Sequence, residues 1–239
     1  MQNYEKLLII KTGSTLPSLS AQKGDFEDWV LSGMGIDKDQ AIIADVCNGV
    51  PLPDYDKVSG VVITGSHAMV TEHPDWSERT AAWLQKSIRR NIPILGICYG
   101  HQLLAYSLGG EVGDNPKGME MGTVNVFPNE EAQHDKLLNG LDNPLKVHVS
   151  HQQTVLKLPK DATRLAVSNG DDCQAFVFGN HIWGLQFHPE FDREITMAYI
   201  NECRQELISA GKNPDALIET CIDTRYGTEI LRRFAGFCE

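Results

Sequence analysis

The segment Ile92-Pro93-Ile94-Leu95-Gly96-Ile97-Cys98-Tyr99-Gly100-His101-Gln102-Leu103-Leu104-Ala105 constrains this chain more than any other. An apolar run dense in Ile and Leu reads as a buried strand, and the residues after Gly100 read as an amphipathic helix. Between them stands Gly-x-Cys-x-Gly, the nucleophile-elbow pattern with Cys in place of Ser. The two glycines leave room for a tight, strained turn that projects the Cys98 side chain from the strand end. Residue 98 then stands at a helix N-terminus, where the dipole and unpaired N–H groups favour an anion such as a thiolate. Taken alone, the pattern equally fits a buried cysteine beside a strand–turn–helix glycine pair.

An elbow of this kind belongs in a parallel sheet, and the first half of the chain supplies one. Lys6–Lys11, Ala41–Val46, Val58–Thr64 and Ile92–Ile97 are rich in Ile, Val and Leu and end in Gly, Asn or Pro signals. They read as strands buried on both faces. A helix opens at Pro74-Asp75-Trp76, with Asp75 as its N-cap, and Asn91-Ile92-Pro93 ends it. A second runs from Tyr99 to Leu108 and stops at Gly109-Gly110. In the second half, Thr123–Phe127, Leu145–Ser150, Thr163–Ser168, Gln174–Phe178 and His181–Phe187 are short runs separated by turn signals, which predicts an antiparallel or mixed region. Two helices, about 193–210 and 227–237, finish the chain. The expectation is an α/β fold: a three-layer α/β/α domain with a mainly parallel central sheet and a smaller mixed or antiparallel edge sheet. With no repeat or Gly/Ser/Pro linker, residues 1–239 read as one domain.

Composition narrows the partners. Lys and Arg total 21 against 32 Asp and Glu, a net charge of −11. Binding to nucleic acid or to an anionic membrane needs basic patches, so neither is expected. The early apolar run Leu7–Ile10 is far shorter than the roughly 7–15 residues of a signal core or the roughly 18 of a membrane span. The six cysteines are scattered without a C-x-x-C pair, so a reduced, cytoplasmic protein is expected.

A cysteine nucleophile needs a base held by a third group. Among eight histidines, His188 is distinguished by context: it closes the strand-like run Ile182–Phe187, Pro189 stiffens its exit, and Glu190 follows. A carboxylate at that spacing can orient the imidazole, although His-Pro-Glu alone is a weak signal. The run Gly60–Thr64 opens into Gly65-Ser66-His67, a small-residue loop beyond a strand end, where ligands gather in open α/β sheets. A backbone N–H of Gly65 or Ser66 there, with that of Tyr99, would face a developing oxyanion; one such donor is commonly worth about 2.7–4 kcal/mol. By itself Thr64-Gly65-Ser66 is also simply a turn.

Gly96–Gln102, followed by His188-Pro189-Glu190, resembles a class I (triad-type) glutamine amidotransferase. Val61–Ser66 and Ser150-His151 match that family in order and spacing, and the resemblance covers roughly residues 6–191, with a helical extension over about 192–239. It is closest to the stand-alone, GMP-synthase-like group, which includes gamma-glutamyl peptidase-like proteins; Asn115–Gly122 and Gly24–Trp29 also look like that group. The resemblance implies Cys98 as nucleophile, His188 as general base and then acid, and Glu190 as the orienting carboxylate. It implies oxyanion donors at Gly65 and Tyr99, with Ser66 in the same loop. Gln102, Ser150, His151 and Gln152 would hold the amino-acid end of glutamine. One departure is the loop Gly65-Ser66-His67-Ala68-Met69-Val70, where the family usually has a second glycine or a proline.

The implied reaction is attack on the γ-amide of glutamine, release of ammonia, and hydrolysis of a γ-glutamyl thioester. Two alternatives stand beside it: a free-standing hydrolase of γ-glutamyl compounds, and a catalytically silent regulatory module of the same fold. Neither G-x-x-x-x-G-K-[ST] nor G-x-G-x-x-G occurs, and the residues after Phe191 are too few for a synthase, so any ammonia-accepting partner is expected on a separate chain. No metal or cofactor is read from the sequence. Phe176 and Phe178 are assigned to the core, Trp76 and Trp83 to anchoring their helix, and Glu130-Glu131 and Asp171-Asp172 to solvated loops.

Overall fold

The apolar runs of the first half become one side of a large sheet. In the computed structural model, which describes residues 5–238, β1 (Lys6–Lys11), β2 (Ala41–Asp45), β3 (Val58–Ile63) and β4 (Ile94–Ile97) are followed by β5 (Glu111–Asp114), β6 (Glu120–Pro128), β7 (Leu145–His151) and β8 (Gln153–Lys157). Then come β9 (Ala162–Ser168), β10 (Ala175–Phe178) and β11 (Ile182–Leu185). The sheet order is β2-β1-β3-β4-β11-β10-β9-β6-β7. The first five strands pair in parallel and the rest antiparallel, with β11 belonging to both halves. β5 and β8 make a separate two-stranded antiparallel sheet. The α/β class read from the sequence holds, and the antiparallel strands extend the same sheet as the parallel ones.

The helices are α1 (Pro17–Lys23), α2 (Phe26–Met34), α3 (Asp75–Ser87), α4 (Tyr99–Ser107), α5 (Arg193–Glu202), α6 (Arg204–Ser209), α7 (Pro214–Glu219) and α8 (Tyr226–Ala235). Strand alternation sorts the core into layers. Leu7 and Ile9 of β1 bury against Val30, Leu31 and Met34 of α2 and Ile230, Leu231 and Phe234 of α8. Leu8 and Ile10 point the other way, into Ala81 and Leu84 of α3 and Leu103 and Leu104 of α4. Each such side chain contributes about 1.5–3 kcal/mol when fully buried. Phe176 lies in this second core, with Phe178, Trp76 and Trp83 packed at its edge. Among the described residues, no helix is long and apolar enough to cross a membrane.

Three local readings need correction. Asp75 is not an N-cap: Pro74 holds that place without a side-chain cap bond, and Asp75 is the first helical residue. The helix expected over 193–210 breaks at Cys203 into α5 and α6. Asp171 is not a solvated loop acid; it is fully buried, whereas Asp172 and Glu130-Glu131 are exposed.

Candidate active site

Three neighbouring parallel strands deliver the site. Ile63 of β3 lies in register with Gly96 of β4, and Ile97 of β4 with Leu185 of β11, so the chain leaves all three at the same edge of the sheet. From there β3 runs into Gly65, β4 into Cys98 and β11 into His188. The Cys98 N–H donates to the Leu185 carbonyl at 2.8 Å, and the His188 N–H to the His148 carbonyl at 2.8 Å, so backbone bonds pin both residues.

Cys98 has φ 50° and ψ −101°, the strained elbow conformation. A Cβ on Gly100 would strike the carbonyl oxygen of Ile63, which is why the helix can start this close to β3 only with glycine there. Tyr99, the first residue of α4, carries an N–H that has no acceptor within the helix. Its phenol is turned away and donates to Ser77 Oγ at 2.7 Å. Gly65 lies against the imidazole, where a Cβ would approach His188 Cε1 to 3.0 Å.

His188 and Glu190 are both buried, and His188 Nδ1 lies 2.8 Å from Glu190 Oε1. Facing an ionised carboxylate, Nδ1 donates, which leaves Nε2 for the thiol of Cys98, its other hydrogen-bond partner. Burial works against a charge on His188, but the Glu190 carboxylate and Cys98 overcome it and raise its pKa to about 10. Phe191 stacks on the ring at 3.9 Å between centroids and 18° between planes, fixing its tilt. Cys98 Sγ also faces the Ser150 carbonyl oxygen at 3.7 Å.

Cys98, Tyr99 and Gln102 line one cavity with Ser66, Ser150, His151 and Gln152. Gln102, expected to hold substrate, has its amide N–H groups directed to the Gln153 carbonyl at 2.8 Å and Gln186 Oε1 at 3.0 Å. His151 is also occupied: Nε2 lies 3.0 Å from Glu120 Oε2 and Nδ1 3.1 Å from the Gln153 carbonyl oxygen. Glu120 further accepts from Ser168 Oγ and Gln174 Nε2, both at 2.6 Å. Asp171 Oδ1 accepts from Thr154 Oγ1 at 2.9 Å and the Cys173 N–H at 2.6 Å, with Oδ2 3.7 Å from His151 Nδ1. Sequence reasoning does not single out Glu120 or Asp171 as site residues. Glu120 enters that reading only inside the Asn115–Gly122 segment and Asp171 only as a loop acid, and each acquires its partners from residues distant in the chain.

The family model for glutamine amidotransferase class-I matches residues 43–204. The chain is 35% identical over 150 residues to gamma-glutamyl peptidase 5 of Arabidopsis thaliana, covering 62% of this chain and 60% of that protein. It thus spans about three fifths of that relative's length. Against gamma-glutamyl peptidase 4 of the same plant it is 31% identical over 183 residues, 76% of this chain and 71% of the relative. Against one of the subunits of GMP synthase [glutamine-hydrolyzing] from Ignicoccus hospitalis it is 37% identical over 142 residues, 59% and 71% respectively. A crystal structure of a glutamine amidotransferase from Thermotoga maritima superposes with a TM-score of 0.76 at 24% identity, covering 99% of each chain, a likeness of fold. By the extent of the family match and of these relatives, the chain belongs to the class-I glutamine amidotransferases.

Proposed function

We propose that this chain is a cysteine-dependent amidase acting on the γ-amide of glutamine, with Cys98 as nucleophile, His188 as general base and acid, and Glu190 as the group that orients and charges the imidazole. The observation that carries the proposal is the buried His188–Glu190 pair beside a cysteine held at positive φ on a helix N-terminus. The Cys98 thiol gives its proton to His188 as the sulfur attacks the carbonyl carbon, and the carbonyl electrons move onto an oxyanion facing the N–H groups of Gly65 and Tyr99. As the tetrahedral species collapses, the C–N bond breaks and His188 protonates the departing ammonia, leaving a γ-glutamyl thioester. Water then adds, giving its proton to His188, and the C–S bond breaks to release glutamate. Ser66, Gln102 and the Ser150–Gln152 segment would line the substrate's amino-acid end. In this reading the whole chain is one cytoplasmic domain, the helices after Phe191 completing it.

A second reading replaces the leaving ammonia with an amine, making the substrate a γ-glutamyl peptide; the likeness to proteins named gamma-glutamyl peptidase favours it. The likeness to one GMP synthase subunit supports a variant of the first, in which ammonia passes to a synthase on a separate chain. Cys98→Ala should lower hydrolysis of glutamine and of γ-glutamyl peptides by about four orders of magnitude or more. Unchanged turnover of both would overturn the assignment. An electrophilic glutamine analogue should add its mass to Cys98; an unmodified thiol would favour a silent module.

A further inference from the structure

We infer that His151 is a positioning residue, an imidazolium clamped between Glu120 and Asp171 that holds the Ser150–Gln152 segment in place opposite Cys98. The ring is almost wholly buried and both of its nitrogens face acceptors: a carboxylate oxygen of Glu120 at Nε2 and the Gln153 carbonyl oxygen at Nδ1. A backbone carbonyl can only accept. Glu120 takes donors from His151, Ser168 and Gln174, a set that suits an ionised carboxylate. A neutral imidazole carries one N–H, so it would leave one nitrogen facing an acceptor with no proton between them. The ring therefore has to donate from both nitrogens.

The surrounding charges agree. Burial favours a neutral Glu120, yet the hydrogen bond and charge of His151 hold its carboxyl below the ordinary range. Burial raises the Asp171 pKa, and its Oδ2, which has no hydrogen-bond partner, faces Nδ1 of the same ring. His101, the other histidine affected by the ring's charge, is pushed down to about 3 by burial and so stays neutral. A cation on the ring offsets the buried charge of Glu120, and its field opposes the rise that burial imposes on Asp171.

The clamp reaches the cavity through backbone. Glu120 on β6 and His151 on β7 are cross-strand partners, and the next pair is Met121 with Ser150, whose carbonyl faces the nucleophile. Ser150 and Gln152 flank the clamped residue and line the cavity. Releasing His151 loosens the surface the substrate lies on without touching the pairing of Cys98 with His188. The kinetic part of this inference rests on the amidase reading; the protonation state does not.

The test joins NMR and kinetics on the full chain. In 15N-histidine spectra at pH 7.5, the resonance lost in His151→Gln should show protons on both nitrogens; a singly protonated ring overturns the inference whatever the enzyme does. If His151→Gln does not fold, the same resonance is identified by its shift in Asp171→Asn. Glu120→Gln keeps the side-chain shape and removes the charge. It should raise KM about tenfold, the equivalent of one charged hydrogen bond, with kcat and the rate of Cys98 alkylation by iodoacetamide within about twofold of the parent. A fall in kcat and alkylation, or an unchanged KM, would assign the cluster to folding alone. If the parent hydrolyses neither glutamine nor γ-glutamyl peptides yet shows the doubly protonated ring, the amidase reading fails and the clamp stands.

Discussion

Two buried histidine–glutamate pairs lie near the same cavity, and the partner of the second ring nitrogen separates them. In one, His188 and Glu190 are two residues apart across a proline, and the remaining nitrogen faces the Cys98 thiol. In the other, His151 and Glu120 meet across an antiparallel strand pair, and the remaining nitrogen faces a backbone carbonyl. A thiol can exchange a proton with imidazole; a carbonyl cannot. The same two side-chain types at nearly the same distance, 2.8 Å and 3.0 Å, thus suit the two roles proposed above, a proton shuttle in one place and a fixed cation in the other.

Neutralising each acid in turn should separate the two pairs most widely. Glu190→Gln should lower kcat by roughly three to four orders of magnitude with KM little changed, because the imidazole loses both its orientation and its charge partner. Glu120→Gln should act mainly on KM. Equal effects in steady-state kinetics would erase the distinction.

Glycine substitutions sharpen it at a lower level. Gly100→Ala drives a Cβ into the backbone carbonyl of Ile63 beneath the elbow, and should cost about 1–3 kcal/mol in denaturant titrations. A Cβ on Gly170 meets the buried Glu120 carboxylate, which cannot move aside without breaking its bonds to His151, Ser168 and Gln174. Gly170→Ala should therefore reproduce the KM increase of Glu120→Gln and also cost stability, by about as much as Gly100→Ala. Unchanged stability and KM in Gly170→Ala would show that the Glu120 side chain is not held there.

The smallest effects concern pH. His188 is raised to about 10 when folded, so its contribution to stability is complete below its unfolded pKa near 6.5 and is lost as pH climbs towards 10. His101 and His148 are lowered by burial to about 3 and 4, so the unfolded chain binds more protons than the folded one below about pH 6.5 and stability falls as the solution is acidified. Tm should therefore peak between these limits, with Glu190→Gln flattening the alkaline side and His148→Gln the acid side by at least about 2 °C. An alkaline slope unchanged in Glu190→Gln would remove the carboxylate as its cause.

The legibility of these two regions in the sequence follows from how local each one is. Cys98 is framed by its own neighbours, since Gly96 and Gly100 are dictated by the turn, and His188 by a strand end and a proline, so both can be found without a structure. The clamp draws on Glu120, His151, Ser168, Asp171 and Gln174, whose side chains meet only after three antiparallel strands are aligned. Asp171 next to Asp172 looks like a solvated pair until the fold buries one and exposes the other. β5 and β8 are hard to read because half-buried, polar strands such as Glu111–Asp114 carry little hydrophobic pattern. α1 and α2 are short, and the loop-like Gly24-Asp25 between them hides the break, although Asp25 proves to be the first member of a capping box with Asp28.

The backbone at position 98 restricts which elements could ever do chemistry there. At φ 50° an unbranched side chain such as serine fits as cysteine does, so oxygen could replace sulfur with little disturbance to the turn. Threonine, with a second heavy atom on Cβ, is a true outlier at that angle and would have to unbend the elbow to enter it. The choice of nucleophile is narrowed by torsion before acidity is considered: the fold itself admits only unbranched side chains at this place.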